Sequence, residues 1–170
     1  MTLKIMACGV LVLCGWQLGW EGKRKLTVRS ERLEWFRALF LEMRGMVAHS
    51  GLTLNEMIAA LSERHPEALF LQQLQDTLAQ AQAVFATAWT KTLYAEKDEL
   101  CLSVKDIQLL SDCAALLGKN DVDGELRTFA LIDERLSRAC DESRLKMTSD
   151  GSVYTAIGSS CGIILALLLL

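Results

Sequence analysis

The sequence predicts an all-α protein in which two terminal transmembrane helices flank a cytoplasmic helical bundle. Residues 153–170 carry no charged side chain, and residues 5–20 form a second uncharged apolar run. A helix over 153–170 is about 27 Å long, close to the hydrocarbon thickness of a membrane. The middle of the chain holds the single proline, Pro66, and is rich in strong helix formers. We therefore expect transmembrane helices at 3–20 and 153–170 around a helical domain at 21–151.

Each terminal segment has an alternative interpretation. The stretch 153–170 could be a buried core helix, although a domain of this size rarely encloses such a helix on every side. The first segment could be a cleaved signal peptide, but no small-residue cleavage pattern closes it. A lipoprotein would have to use Cys8, which follows almost no apolar run, or Cys14, which follows the bulky Leu13. We therefore favour an uncleaved membrane helix at each end.

The charges beside the two segments predict their orientation. Basic residues lie on the inner side of each apolar run, whereas on the outer sides only Lys4 occurs, directly before the uncharged run 5–20. These inner basic residues are Lys23, Arg24, Lys25, Arg29, Arg32, Arg138, Arg144 and Lys146. The positive-inside rule places 21–151 in the cytoplasm and both termini across the membrane. Trp16, Trp20 and Tyr154 would then lie at the cytoplasmic interface, where aromatic side chains are enriched.

Both apolar segments contain a Gly-x-x-x-Gly pattern, Gly15 with Gly19 and Gly158 with Gly162. This spacing puts both glycines on one helix face, so that another helix can approach closely. Glycine is also common in membrane helices in general. The pattern therefore indicates either transmembrane packing at these four residues or no specific contact.

Apolar spacing and capping signals divide the middle of the chain into helices. A heptad-like apolar seam predicts one long helix that continues to about Ala48 and ends before Gly51. The seam consists of Leu26, Leu33, Phe36, Phe40, Met43 and Val47. Thr53 and Glu56 have the spacing of a capping box, which predicts a short helix directly after this turn.

Further signals mark the remaining helices. Pro66 ends the short helix and can open the next one. A following helix carries Trp89, and Ser103 with Asp106 gives a second capping signal. A last long helix from Asp121 should return toward the membrane. The first and last long helices are therefore expected to run antiparallel.

The sequence shows no catalytic, cofactor-binding or metal-binding pattern. The six cysteines include no Cys-x-x-Cys, and two histidines cannot build a zinc spacing. No phosphate loop or nucleophile motif occurs. Asp121, Asp123 and Glu125 lack the spacing of an EF-hand, and carboxylates there more simply stabilise the positive end of a helix. An acidic domain without a basic stripe gives no support to nucleic-acid binding, and we expect no small-molecule substrate.

Four motifs follow one another in a distinctive order along the chain. They are Leu52-Thr53-Leu54-Asn55-Glu56, Ala88-Trp89, Leu116-Leu117-Gly118-Lys119-Asn120-Asp121-Val122-Asp123, and Gly158 with Gly162 before an apolar stretch. In these motifs the chain resembles the stage III sporulation protein AB family over essentially its full length. It departs from the family at Thr53, Met57 and Glu125, where proline, alanine and glutamine are usual. A contact that the neutral amide of glutamine makes in the family is therefore not carried over to Glu125.

The resemblance implies a role in endospore formation. By this resemblance the chain would be a non-enzymatic platform subunit of a secretion-like channel complex in the mother-cell-side membrane around the forespore. The helical domain would be similar to the cytoplasmic domains of type II secretion platform proteins. Its expected partners are the other membrane subunits and a cytoplasmic ATPase, and no cofactor is expected.

We place the candidate interaction surface at the turn 118–125, with Lys119, Asp121, Asp123 and Glu125. The alternative is a membrane-tethered regulatory or signalling protein that binds a cytoplasmic partner without building a channel. An enzyme is a further alternative, but it has no catalytic group of residues in its favour.

Overall fold

The computed structural model describes residues 2–81 and 84–169, with the side chains of 17, 20–22, 24–80, 84–150 and 160. Over these residues the chain forms helices and no strand, so the all-α prediction is confirmed. The helices are α1 (Thr2–Ser50), α2 (Leu54–Arg64), α3 (Leu69–Ala81), α4 (Phe85–Ala95), α5 (Val104–Leu116) and α6 (Val122–Leu169).

The contacts divide the chain into two compact units. One comprises Arg32–Ala139, and the other comprises Met1–Glu31 with Cys140–Leu170. All of α2 to α5 belongs to the first, which we call the helical unit.

The predicted terminal spans stay predictions. Among the described residues, no helix has a stretch both long and apolar enough to cross a membrane. Most side chains of the predicted spans 3–20 and 153–170 lie outside the described ones. The predicted packing at Gly15, Gly19, Gly158 and Gly162 also lies outside what the structure describes, so it stays a prediction.

Helix ends agree with the predicted turns, with one exception at Pro66. Helix α1 ends at Ser50, and Gly51 follows with a φ of 59° that favours glycine. Pro66 does not open α3, which begins only at Leu69. The intervening residues form a turn in which the Ala68 N–H donates to the His65 carbonyl.

An aromatic cluster centred on Trp89 fills the core of the helical unit. Trp89 is fully buried on α4. Its ring centroid lies 5.0 Å from that of Phe70 on α3 and 5.9 Å from that of Phe36 on α1. Phe40 and Phe85 lie 5.4 and 5.5 Å from it. Because these rings come from three helices, this one side chain joins α1, α3 and α4 through offset and edge contacts.

Capping boxes begin α2 and α5, as the sequence predicts. At α2, the Glu56 carboxylate accepts the Thr53 backbone N–H at 2.8 Å, and the Thr53 hydroxyl accepts the Glu56 N–H at 3.4 Å. At α5, Asp106 accepts the Ser103 N–H at 2.9 Å. Each box satisfies backbone donors that a helix start otherwise leaves without a partner.

The box at α2 predicts an acid-sensitive contribution to stability. The hydrogen bonds from the backbone and hydroxyl of Thr53 lower the pKa of Glu56 below its ordinary 4.5. Because the pKa of this carboxyl is lower in the folded state than in the unfolded state, its ionised form stabilises the fold. This stability is fully present above the pKa of the unfolded state and is lost as the pH falls through the pKa of the folded state. Between about pH 6 and pH 3, the urea midpoint should therefore fall further for the unmodified chain than for Glu56→Gln. Equal falls would contradict this role, because glutamine keeps the acceptor and loses only the titration.

Candidate functional site

The helical unit carries an open groove of about 640 Å³. Three segments line it: the α1–α2 loop with the start of α2, the start of α4, and the α5–α6 turn with the start of α6. The lining residues are Val47, Gly51, Leu52, Thr53, Leu54, Asn55, Met57, Val84, Phe85, Ala86, Ala115, Leu117, Gly118, Lys119, Asn120, Val122 and Glu125. Of the four predicted interaction residues, Lys119 and Glu125 line the groove, whereas Asp121 and Asp123 are not among its lining residues.

The α5–α6 turn is held in place by side chains of the first turns of α6. Glu125 Oε1 accepts the backbone N–H of Lys119 at 2.9 Å and that of Asn120 at 3.2 Å. Asp121 Oδ1 accepts the Gly124 N–H at 3.1 Å. Gly124 is crowded, since a Cβ there would lie 2.7 Å from the Cβ of Asn120. These contacts fix one conformation of the wall of the groove.

Gly118 lets the turn pack against α2. Its φ is 76°, a conformation that favours glycine. A Cβ at this position would lie only 2.8 Å from the Leu54 Cδ1. The absence of a side chain at Gly118 therefore lets the turn and the start of α2 line the same groove.

The four predicted interaction residues differ in exposure. Lys119, Asp121 and Asp123 are exposed, as a contact surface requires. Glu125 is only 8% exposed, and its Oε1 is occupied by the backbone of the turn. The structure therefore gives Glu125 a role inside the turn, and its predicted contact with a partner stays a prediction, as do those of the other three.

Replacing Glu125 by alanine should destabilise the helical unit by about 2 kcal/mol, because two backbone donors lose a charged acceptor. Glu125→Gln is the matched control. Glutamine keeps an Oε1 acceptor in the same place and should cost less than about 1 kcal/mol. Urea unfolding of the two variants measures the difference. If both variants lose the same stability, the Oε1 contacts do not hold the turn.

The walls of the groove include apolar side chains that are exposed to solvent. Val84 is 73% exposed and Val122 is 51% exposed, and each stands at the start of a helix. Leu52 and Leu54 are partly exposed beside them. Val122 lies within the predicted turn 118–125, but sequence reasoning missed Leu52, Leu54 and Val84 as part of this surface, because apolar residues in separate segments give no periodic signal. Large apolar side chains clustered at an exposed groove are typical of a surface that binds another molecule.

The described residues provide little for reaction chemistry. Among the described side chains, no group of three His, Cys, Asp or Glu residues is arranged to hold a metal ion. Cys113 is fully buried, and its burial raises the pKa of its thiol to about 11. A thiol with so high a pKa forms almost no thiolate near neutral pH.

The described part is thus a helical protein with an open, largely apolar groove. The chain belongs to the stage III sporulation protein AB family, whose family model matches residues 4–170. It therefore has a role in stage III of sporulation, and the resemblance seen in the sequence is confirmed. No curated protein and no solved structure matches the chain.

Proposed function

We propose that the chain is a non-enzymatic platform subunit of a sporulation-specific, secretion-like channel complex between mother cell and forespore. The observation that carries the proposal is the exposed apolar groove on the helical unit. A platform subunit works by holding other proteins together, and it needs such a surface and no catalytic group. Membership of a stage III sporulation family supplies the cellular setting.

The proposed location is the mother-cell-side membrane around the forespore. The apolar segments 3–20 and 153–170 would anchor the chain at both ends. The basic residues on their inner sides favour a cytoplasmic position for 21–151. The groove would then face the cytoplasm of the mother cell.

The proposed partners are other subunits of the sporulation membrane complex, including a cytoplasmic ATPase. Neither nucleic acid nor a small-molecule substrate is part of the proposal, because the domain is acidic and lacks a basic stripe. The platform function resembles that of type II secretion platform proteins, in which helical cytoplasmic domains support the assembly.

Charge reversal at the turn tests the proposal. The double variant Asp121→Lys with Asp123→Lys should reduce co-isolation of the partner subunits from membranes of sporulating cells, with the membrane level of the chain unchanged. Asp123→Lys alone should act in the same direction, and it leaves the cap that Asp121 provides to α6 intact. The matched control is Glu63→Lys with Asp76→Lys, which changes the net charge equally at exposed residues of α2 and α3, outside the α5–α6 turn.

The outcome separates the proposal from its alternative. A platform subunit should bring several subunits of the complex out of the membrane together. A membrane-tethered regulatory protein should bring out a single soluble partner. If the unmodified chain co-isolates with no other subunit, the platform function is wrong.

A further inference from the structure

We propose that the groove binds an amphipathic helix of a partner subunit whose apolar face is flanked by lysine or arginine side chains. The inference rests on the proposed function and deepens it, because it states what the partner must present to this surface. Three observations carry it: the exposed apolar walls, the charges beside them, and the kind of backbone that lines the groove.

The apolar walls require an apolar occupant. Val84 and Val122 are 73% and 51% exposed on the wall of the groove, whereas the core side chains of the helical unit are almost completely buried. Covering apolar surface contributes about 25 cal/mol per Å² removed from water. An occupant with leucine-like side chains would gain this contribution, and a wholly polar one would not.

The charges beside the walls make the surroundings of the groove acidic. Glu56 is exposed between Asn55 and Met57, which both line the groove. Asp121 and Asp123 are exposed on either side of Val122, which also lines it. Among the lining residues, the exposed basic side chain is Lys119, so three negative charges stand against one positive charge at the groove. Charge complementarity therefore favours a partner segment with an excess of basic side chains.

The backbone around the groove favours a helical occupant. An extended segment binds best where it can add to the edge of a sheet, and the described residues include no strand. A helix satisfies its own backbone hydrogen bonds and needs only an apolar groove for its side chains. The volume of about 640 Å³ has room for a few side chains of one such helix.

Photo-crosslinking of the full-length chain in sporulating cells tests the inference. The probe is p-benzoylphenylalanine in place of Val84 or, separately, of Val122. The matched control carries it in place of Val104, which is 57% exposed at the start of α5 and does not line the groove. The crosslinked peptide is sequenced by mass spectrometry. Both groove positions should give the same partner segment, with apolar residues at helical spacing and an excess of lysine and arginine, and the control should not.

A second variant tests the contribution of charge. Asp121→Asn with Asp123→Asn removes two charges, and the asparagine oxygen at 121 can still cap α6. The crosslink from the Val84 position should fall several-fold in this variant. An unchanged yield would overturn the role of the carboxylates.

Other outcomes overturn the proposal. If the crosslinked partner peptide is rich in acidic side chains, the start of α4 selects the partner through its backbone N–H groups, because Val84 provides no side-chain cap for them. A peptide from this chain itself would mean that a second copy covers the groove. Absence of any adduct, in cells where the chain co-isolates with several subunits, would leave the platform function standing and exclude the groove as the contact.

Discussion

Replacing Trp89 by alanine should lower the free energy of unfolding of the helical unit by about 3–5 kcal/mol. This is the largest effect that we expect, because the side chain is fully buried and contacts aromatic rings from three helices. Removing it leaves a cavity that none of the three helices can close alone. Domains are stable by only about 5–15 kcal/mol, so a large share of the total would be lost. Urea unfolding of the full chain in detergent, followed by far-ultraviolet circular dichroism, measures the change.

Trp89→Phe is the matched control for this prediction. Among the described residues, the buried Trp89 Nε1 has no hydrogen-bond partner. Phenylalanine removes this unpaired donor and keeps one ring in the cluster, so we expect a loss of about 1–2 kcal/mol. Comparable losses in the two variants would show that the cluster does not depend on an aromatic ring at this position.

The variant Gly118→Ala should destabilise the helical unit by about 2–3 kcal/mol and loosen the wall of the groove. The φ of 76° is unfavourable for any residue with a Cβ, at a cost of about 1–2 kcal/mol. The added methyl group would also lie 2.8 Å from the Leu54 Cδ1, so Leu54 must move. Overpacking of this kind typically costs a further 1 kcal/mol or so.

Gly51→Ala separates these two costs. Gly51 has a similar φ of 59°, but a Cβ there would have no heavy atom within 4 Å. It should therefore show only the backbone cost, about 1–2 kcal/mol. The difference between the two alanine variants measures the close approach of the turn to Leu54. No difference would mean that Leu54 rotates away freely and that the turn does not need glycine for packing.

The helices of this protein are predictable from its sequence to a large extent, because their signals are local. The capping boxes at Thr53 and Ser103 and the glycine after α1 each mark a helix end within a few residues. The apolar seam of α1 likewise identifies its buried face: Phe36 and Phe40 are both in the core. Helical periodicity shows which side of a helix is buried.

The aromatic contacts of Trp89 with rings of other helices are not predictable from local sequence signals. Periodicity does not show which helix packs against which face, so Phe70 and Phe36 could not be placed beside Trp89 from spacing alone. The sequence also places the start of α3 wrongly, at Pro66, whereas the helix begins at Leu69. Proline permits a helix start, but here the carbonyl of His65 accepts the N–H of Ala68 and forms a turn first.

The candidate site was predictable only in part. The turn 118–125 is marked by glycine and acidic residues, and three of its predicted residues are exposed. Burial of Glu125 was not predictable, because its partners are backbone N–H groups that any sequence would carry. The groove itself depends on Val84 and Val122, which are brought together only by the tertiary fold.

The proposed function depends most on the helical unit facing the cytoplasm with both chain ends across the membrane. Cysteine labelling with a membrane-impermeant maleimide tests this directly in non-sporulating cells that express the chain, because the outer side of their membrane faces the medium. The labelled variants lack Cys8, Cys14 and Cys161. The partly exposed Cys101 serves as the natural reporter for the helical unit, and Thr2→Cys reports on the first end. With the proposed topology, Cys101 should be labelled only after the membrane is breached, and the cysteine at position 2 should be labelled without breaching. Labelling of Cys101 in intact cells would contradict it.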